Sequence, residues 1–182
     1  MNVSGHVLRS RYLYLRSLGD DAVQQVHDSV SPRLQGVLTH GVLETQWYPY
    51  DDLVELMTTA DRVLGDGDNS MAYEMGRFGC ETNLTGIYRI FFRFGSINFI
   101  LKRAAKAFRA QYDAGDMIVL HSEPGAATLR LNDFPKPHRA HCLAIRGWMV
   151  RAAELTGQEM VSEKETCRAN GDEHCEWSFV YR

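Results

Sequence analysis

The stretch CRANGDEHCEW, residues 167–177, carries two of the four cysteines, Cys167 and Cys175, with Gly171 and Asp172 between them. Its flanks, EMVSEKETC (159–167) and EWSFVYR (176–182), read as strands, so RANGDEH is the turn of a β-hairpin. One thiol leaves the first strand as the other enters the second, which brings the two near each other. Three roles are open to such a pair: a disulfide, half of a metal site, or two small buried residues at the base of a hairpin.

Upstream of the hairpin, residues 137–156 (PHRAHCLAIRGWMVRAAELT) are helical by period and end at Gly157 as a C′ glycine. Before that helix, MIVLHSE (117–123) and ATLRLNDF (127–134) are short strand-forming runs separated by Pro124-Gly125, a second hairpin. The pattern changes near Gly115. Everything earlier is dominated by helical spacing: Gly5 to Leu18 (Val7, Leu8, Tyr12, Leu15), Asp20 to Val30 with Asp20 or Asp21 as N-cap, and Pro32 to Leu38. An extended piece, GVLETQW (41–47), leads to a helix capped by Asp51 and running to Leu64. The loop GDGDNS (65–70) follows, then helices over 70–94 and 96–112. The expectation is one α+β domain over 1–182. Its helical part (1–113) packs on a sheet part (114–182), a four-stranded antiparallel sheet in ββαββ order.

The chain of 182 residues builds one sizeable core, and 45% hydrophobic with 24% charged residues is ordinary for a soluble globular protein. A net charge of −3 gives no general attraction to nucleic acid or to anionic lipid, so neither is an expected partner. No apolar run approaches the roughly 20 residues that cross a bilayer. Arg9, Arg11 and Arg16 interrupt the start, which is therefore no signal peptide, and a cytoplasmic location is the default. That compartment keeps thiols reduced and counts against a disulfide.

Cys142 lies 25 residues before Cys167, near the N-terminal end of the helix between the hairpins. If that end points to the rim where the second hairpin turns, three sulfurs converge. Three thiolates with one N or O ligand suit tetrahedral zinc. His141 and His174 adjoin cysteines, but neighbouring side chains diverge. Enzyme motifs are missing: there is no G-x-S-x-G, phosphate loop, dinucleotide fingerprint or H-E-x-x-H. A Cys142 nucleophile with His138 or His141 is conceivable, though a metal on the same thiolate excludes it. Tyr73, Phe78, Tyr88, Phe91 and Trp148 are candidates to line a pocket for a small apolar ligand, or else to fill a core. Lys102, Arg103, Lys106 and Arg109 read as a solvated helix face, and Cys80 as a small buried residue.

The last 70 or so residues resemble the 4-vinyl reductase domain in Cys142, Gly147-Trp148, Cys167, Gly171-Asp172, Cys175 and Trp177. More loosely, WYPYDDLVEL, NLTGIYRIFFRFGS, FILKRAAKAF and PHRAHC resemble stand-alone bacterial proteins related to 4-vinyl reductase and haem–nitric oxide-binding domains. The resemblance implies a structural zinc (Zn2+) on Cys142, Cys167 and Cys175, with His121 or Glu123 in VLHSEPG as a fourth ligand. It implies a homodimer formed through the N-terminal helices. It also implies a regulatory or sensory module, with no enzymatic activity, that binds a small apolar molecule or a partner protein and passes its signal to a separate protein. Two alternatives stand beside it: an accessory role in tetrapyrrole metabolism, and a structural adaptor like the related subunits of TRAPP vesicle-tethering complexes. Haem-binding relatives use a proximal histidine and a Tyr-x-Ser-x-Arg motif; SRYLYLRS (10–17) has those residues in the wrong order, so haem is not expected.

Overall fold

A computed structural model describes residues 1–82 and 97–182 of the protein. A short strand, β1 (Asn2–Ser4), runs into α1 (Gly5–Ser17), and α2 (Asp20–His27) and α3 (Pro32–His40) follow. Asp20 and Asp21 stand in the first turn of α2, where the helix dipole favours a negative charge, and Gly19 takes the N-cap position. At α3 the Ser31 hydroxyl accepts from the Leu34 N–H, and Pro32 fits the first turn. Next come β2 (Trp47–Pro49), antiparallel to β1, then α4 (Tyr50–Leu64) and α5 (Ser70–Thr82).

After residues 83–96 the chain continues with α6 (Ile97–Gln111), β3 (Asp116–Glu123), β4 (Ala126–Asn132) and α7 (Arg139–Leu155). It ends with β5 (Met160–Thr166), a 3-10 turn (Arg168–Asn170) and β6 (Cys175–Tyr181). The four long strands form one antiparallel sheet in the order β3-β4-β6-β5. The α+β class and the four-stranded antiparallel sheet are as expected, with seven α-helices among the described residues.

Alternation decides which face of the sheet is apolar. Ala127, Leu129 and Leu131 on β4 and Cys175, Trp177, Phe179 and Tyr181 on β6 are buried. The other face carries polar pairs, with Val180 exposed at its end: Thr128 bonds Ser178 across the strands, and Arg130 pairs with Glu176. Between sheet and N-terminal helices lies α7, buried on most sides and packed backbone to backbone on α5. A Cβ at Gly147 would stand 2.1 Å from the Tyr73 carbonyl oxygen, and one at Gly76 2.0 Å from that of Ala144. Only glycine permits that approach. The contact fixes α7, and with it Cys142, in depth and rotation.

Further features differ from the sequence reading: α4 begins at Tyr50 with Pro49 at its N-cap, so Asp51 stands in the first turn and does not cap it. The two-stranded sheet β1-β2 was not expected, because three-residue strands carry no readable period. Of the helix expected over 70–94, the part beyond Thr82 lies outside the described residues, and so do Tyr88 and Phe91.

Candidate functional site

Three elements deliver one cysteine each to a single buried point. Cys142 projects from the first turns of α7, Cys167 follows β5, and Cys175 opens β6. All are free thiols, at most 1% exposed. The Cys142 sulfur lies 3.2 Å from that of Cys167 and 3.7 Å from that of Cys175, and the three fall within 4.8 Å of one another. Zn–S bonds of about 2.3 Å in a tetrahedron place sulfurs about 3.8 Å apart, so the cluster has the span of a thiolate metal site. Its separations are far too long for a disulfide of about 2.05 Å.

The hairpin turn is built around these sulfurs. Gly171 adopts the left-handed conformation at φ 94°, which ends the 3-10 turn. That reversal lets the Asp172 carboxylate accept from the Cys167 N–H at 2.7 Å. The Arg168 N–H donates to the Cys175 sulfur at 3.4 Å, and the Arg168 guanidinium donates to the Phe134 carbonyl, tying the turn to the end of β4. Gly171-Asp172 is thus structural scaffolding for the thiols.

Charge is already unevenly placed. The Cys167 thiol is held well below the ordinary thiol range by its sulfur contact with Cys142 first, then by that with Cys175, with the Ala169 N–H and Arg139 adding to the effect. Cys142, in contact with both of the other sulfurs, is pushed up. One thiolate is therefore favoured in the thiol cluster. Three in a buried space repel one another unless a dication neutralises them.

Among the described residues, no histidine or carboxylate joins the three sulfurs within 4.8 Å. His121 and Glu123 sit on β3, exposed and paired with each other at 3.2 Å. On the sheet, His121 is level with Thr128 and Ser178, whereas Cys175 pairs with Leu131. The sheet therefore separates His121 from Cys175 by three residues and Glu123 by five along the strands, and both by two strands across. His174 is half-exposed beside Glu173, and His138 caps α7 by accepting from the Ala140 N–H. Cys80 is buried.

The three described pocket candidates, Tyr73, Phe78 and Trp148, are not brought to one place. Tyr73 lines an open groove of about 620 Å3 between the start of α5 and α7, together with Arg139 and Arg146. Trp148 lines a different cavity of about 130 Å3 between α1, α6 and α7. Phe78 packs edge-on against Tyr14. Lys102, Arg103, Lys106 and Arg109 are exposed, as a solvated face requires.

Two of the buried polar groups, Arg11 and His141, stand out by their surroundings. Arg11, on α1, reaches into the protein and lines the smaller cavity. His141 is 1% exposed and boxed by Phe134, stacked at 5.0 Å, and by Tyr50 and Tyr112 at 5.2 and 5.1 Å. Neither of its ring nitrogens has a partner among the described residues, and burial, then Arg11, lowers its pKa to about 3, so it is neutral. No sequence signal marked Arg11, since an arginine on an amphipathic helix reads as surface; His141 is packed in the interior and does not join the sulfurs, in keeping with the divergence of neighbouring side chains.

No known protein-family profile matches the chain, and no curated protein matches its sequence. Solved structures do. An H-NOX protein from S. oneidensis in the Fe(II)NO ligation state is similar over 98% of this chain and 99% of that one, with TM-score 0.73 and 13% identity. Unliganded Fe(II) H-NOX from K. algicida gives 0.75 at 9% identity, covering 98% and 96%. An oxygen-binding H-NOX domain related to soluble guanylate cyclases gives 0.68 at 12%, covering 98% and 95%. The fold is H-NOX-like. At these identities the likeness concerns the fold alone.

The described residues do not fit a haem. All seven histidines lie among them, and none lines either cavity. His141, the most buried, has aromatic rings at about 5 Å on three sides, which leaves no room for a macrocycle beside it. The cavity of about 130 Å3 is also smaller than the roughly 300–1,000 Å3 of sites that bury a drug-sized ligand. The donor set at the three cysteines instead suits a soft, tetrahedral metal ion.

Proposed function

We propose that this chain is a regulatory or sensory module of the 4-vinyl reductase type, without enzymatic activity. On this reading it keeps an H-NOX-like fold but holds a structural zinc on Cys142, Cys167 and Cys175. The single observation that carries the metal is the convergence of three buried sulfurs from three separate elements, with a backbone N–H donating to one of them. Zinc there ties α7 to the β5-β6 hairpin, where no disulfide or covalent link does so, and neutralises the cluster. The site is closed by burial, so its role is structural and not catalytic.

The ligand-binding half of the reading is supported by the cavity between α1, α6 and α7, which a purely structural adaptor would fill with side chains. Output passes to a separate protein, and homodimerisation through the N-terminal helices belongs to the same reading. Exposed Leu18, Leu43 and Trp47 in that part of the chain are apolar surface available to such contacts.

The test is metal analysis of untagged protein beside Cys167→Ser. The reading expects close to one zinc per chain in the wild type and a large loss in the variant. A wild-type content near zero after purification in zinc-containing buffer sinks it.

A further inference from the structure

Arg11 is 7% exposed, yet it has no carboxylate partner among the described residues. Residues 83–96 contain neither Asp nor Glu, so that segment offers none either. Its Nη1 donates to the Met75 carbonyl at 2.9 Å and to the Ser10 hydroxyl at 3.1 Å, while its Nε has no partner among the described residues. A buried guanidinium without a counterion costs several kcal/mol. The fold nonetheless makes room for it: a Cβ at Gly79 would lie 2.3 Å from Nη1. The same side chain lines the cavity of about 130 Å3, whose other walls include Phe108, Tyr112, Met117, Trp148 and Met149. One wall is cationic and underbonded, and the rest is mostly apolar.

The geometry points to this cavity as the site of a small monocarboxylate with a compact apolar body, its carboxylate held by Arg11. Guanidinium N–H groups match carboxylate oxygens in the plane of the fork, and a buried, charge-assisted pair removes the penalty that Arg11 carries alone. An apolar cavity of about 150 Å3 holds a benzene ring, so a body no larger than a phenyl or short branched chain fits here. Sulfate or phosphate would meet one arginine and a mainly apolar wall, leaving most of their oxygens unpaired. Burial also lowers the pKa of Arg11, consistent with a charge awaiting a partner.

This inference rests on the ligand-binding part of the proposed function and names its ligand class. The test uses the full chain, with benzoate as probe, benzamide as its neutral isostere, and chloride and inorganic phosphate at matched ionic strength. Thermal melts and the fluorescence of Trp148, with Trp148→Phe as control, report binding. Benzoate at a hundredfold excess over its Kd is expected to raise Tm by about 5–10 °C. Benzamide and the inorganic anions should leave Tm unchanged.

Arg11→Met should fold, since the Met75 carbonyl keeps its place in a helix, and should bind benzoate about 10–100-fold more weakly. Ala104→Leu, which fills the cavity from α6, should abolish the benzoate shift; it decides the matter if Arg11→Met does not fold. Equal binding of benzamide, or unchanged benzoate binding by Arg11→Met, overturns the carboxylate anchor while leaving a ligand site. An equal shift from chloride or phosphate overturns the ligand class. If neither aromatic probe binds, this inference and the ligand-binding reading fall together, whereas the zinc content stands or falls separately.

Discussion

Replacing Gly147 with alanine perturbs the contact that positions the cysteine-bearing helix. The new methyl would stand 2.1 Å from the Tyr73 carbonyl oxygen, where real Cβ atoms almost never come within 3.0 Å. The α5 and α7 backbones must therefore part by about 1 Å, across an interface where Ala72, Met75, Ala140 and Ala144 are fully buried. Overpacking of this kind costs about 1–3 kcal/mol, and the upper end applies because backbone has no alternative rotamer to adopt. Alanine returns up to about 1 kcal/mol in helix propensity. The net loss is about 2 kcal/mol. For a chain of this size that is a fall in Tm of about 4–8 °C. Thermal melts of wild type, Gly147→Ala and Gly76→Ala in zinc-containing buffer measure it. A Gly147→Ala protein melting at or above the wild-type temperature, as propensity alone demands, would refute the close-approach reasoning.

Other expectations follow from single contacts. Gly171→Ala forces a side chain into the left-handed region at φ 94° and should cost about 1–2 kcal/mol, read as a lower midpoint in urea. Glu154 accepts from Arg77 first and also from Arg151, which lowers its pKa, so it adds stability above the ordinary carboxylate range. That stability is lost as pH falls below about 4.5 through the lowered folded value, and Glu154→Gln should flatten this acid limb, more so at low salt. Titration with haemin should give no saturable one-to-one Soret complex, because no histidine lines either cavity. A stoichiometric five- or six-coordinate spectrum would contradict this.

Much of the fold was legible because its cues are local. Pro124-Gly125 and RANGDEH mark both hairpins, and alternation along β4 and β6 sets the buried face. The three cysteines were also legible as a group, because a helix N-terminus and a hairpin base can meet at one sheet rim. What failed to show in the sequence depends on depth and long-range packing. The fourth-ligand candidates His121 and Glu123 are near the cysteines in motif terms but far along the sheet. Tyr73 and Trp148 lie close on neighbouring helices yet face different spaces, one an open groove and one a cavity. Arg11 looked like one more surface arginine. Only the packing of α5 at Gly79 shows that its guanidinium is inside. The two-stranded sheet at the N-terminus pairs residues more than forty positions apart, beyond the reach of any local pattern.

On the proposed reading, three thiolates hold a metal ion on an H-NOX-like frame. Zinc K-edge X-ray absorption on the purified full chain tests it most directly, because it counts the sulfurs around the ion. The account predicts three sulfurs at about 2.3 Å and one lighter N or O donor at about 2.0–2.2 Å. A first shell made only of nitrogen and oxygen, or one unchanged in Cys142→Ser, would contradict it.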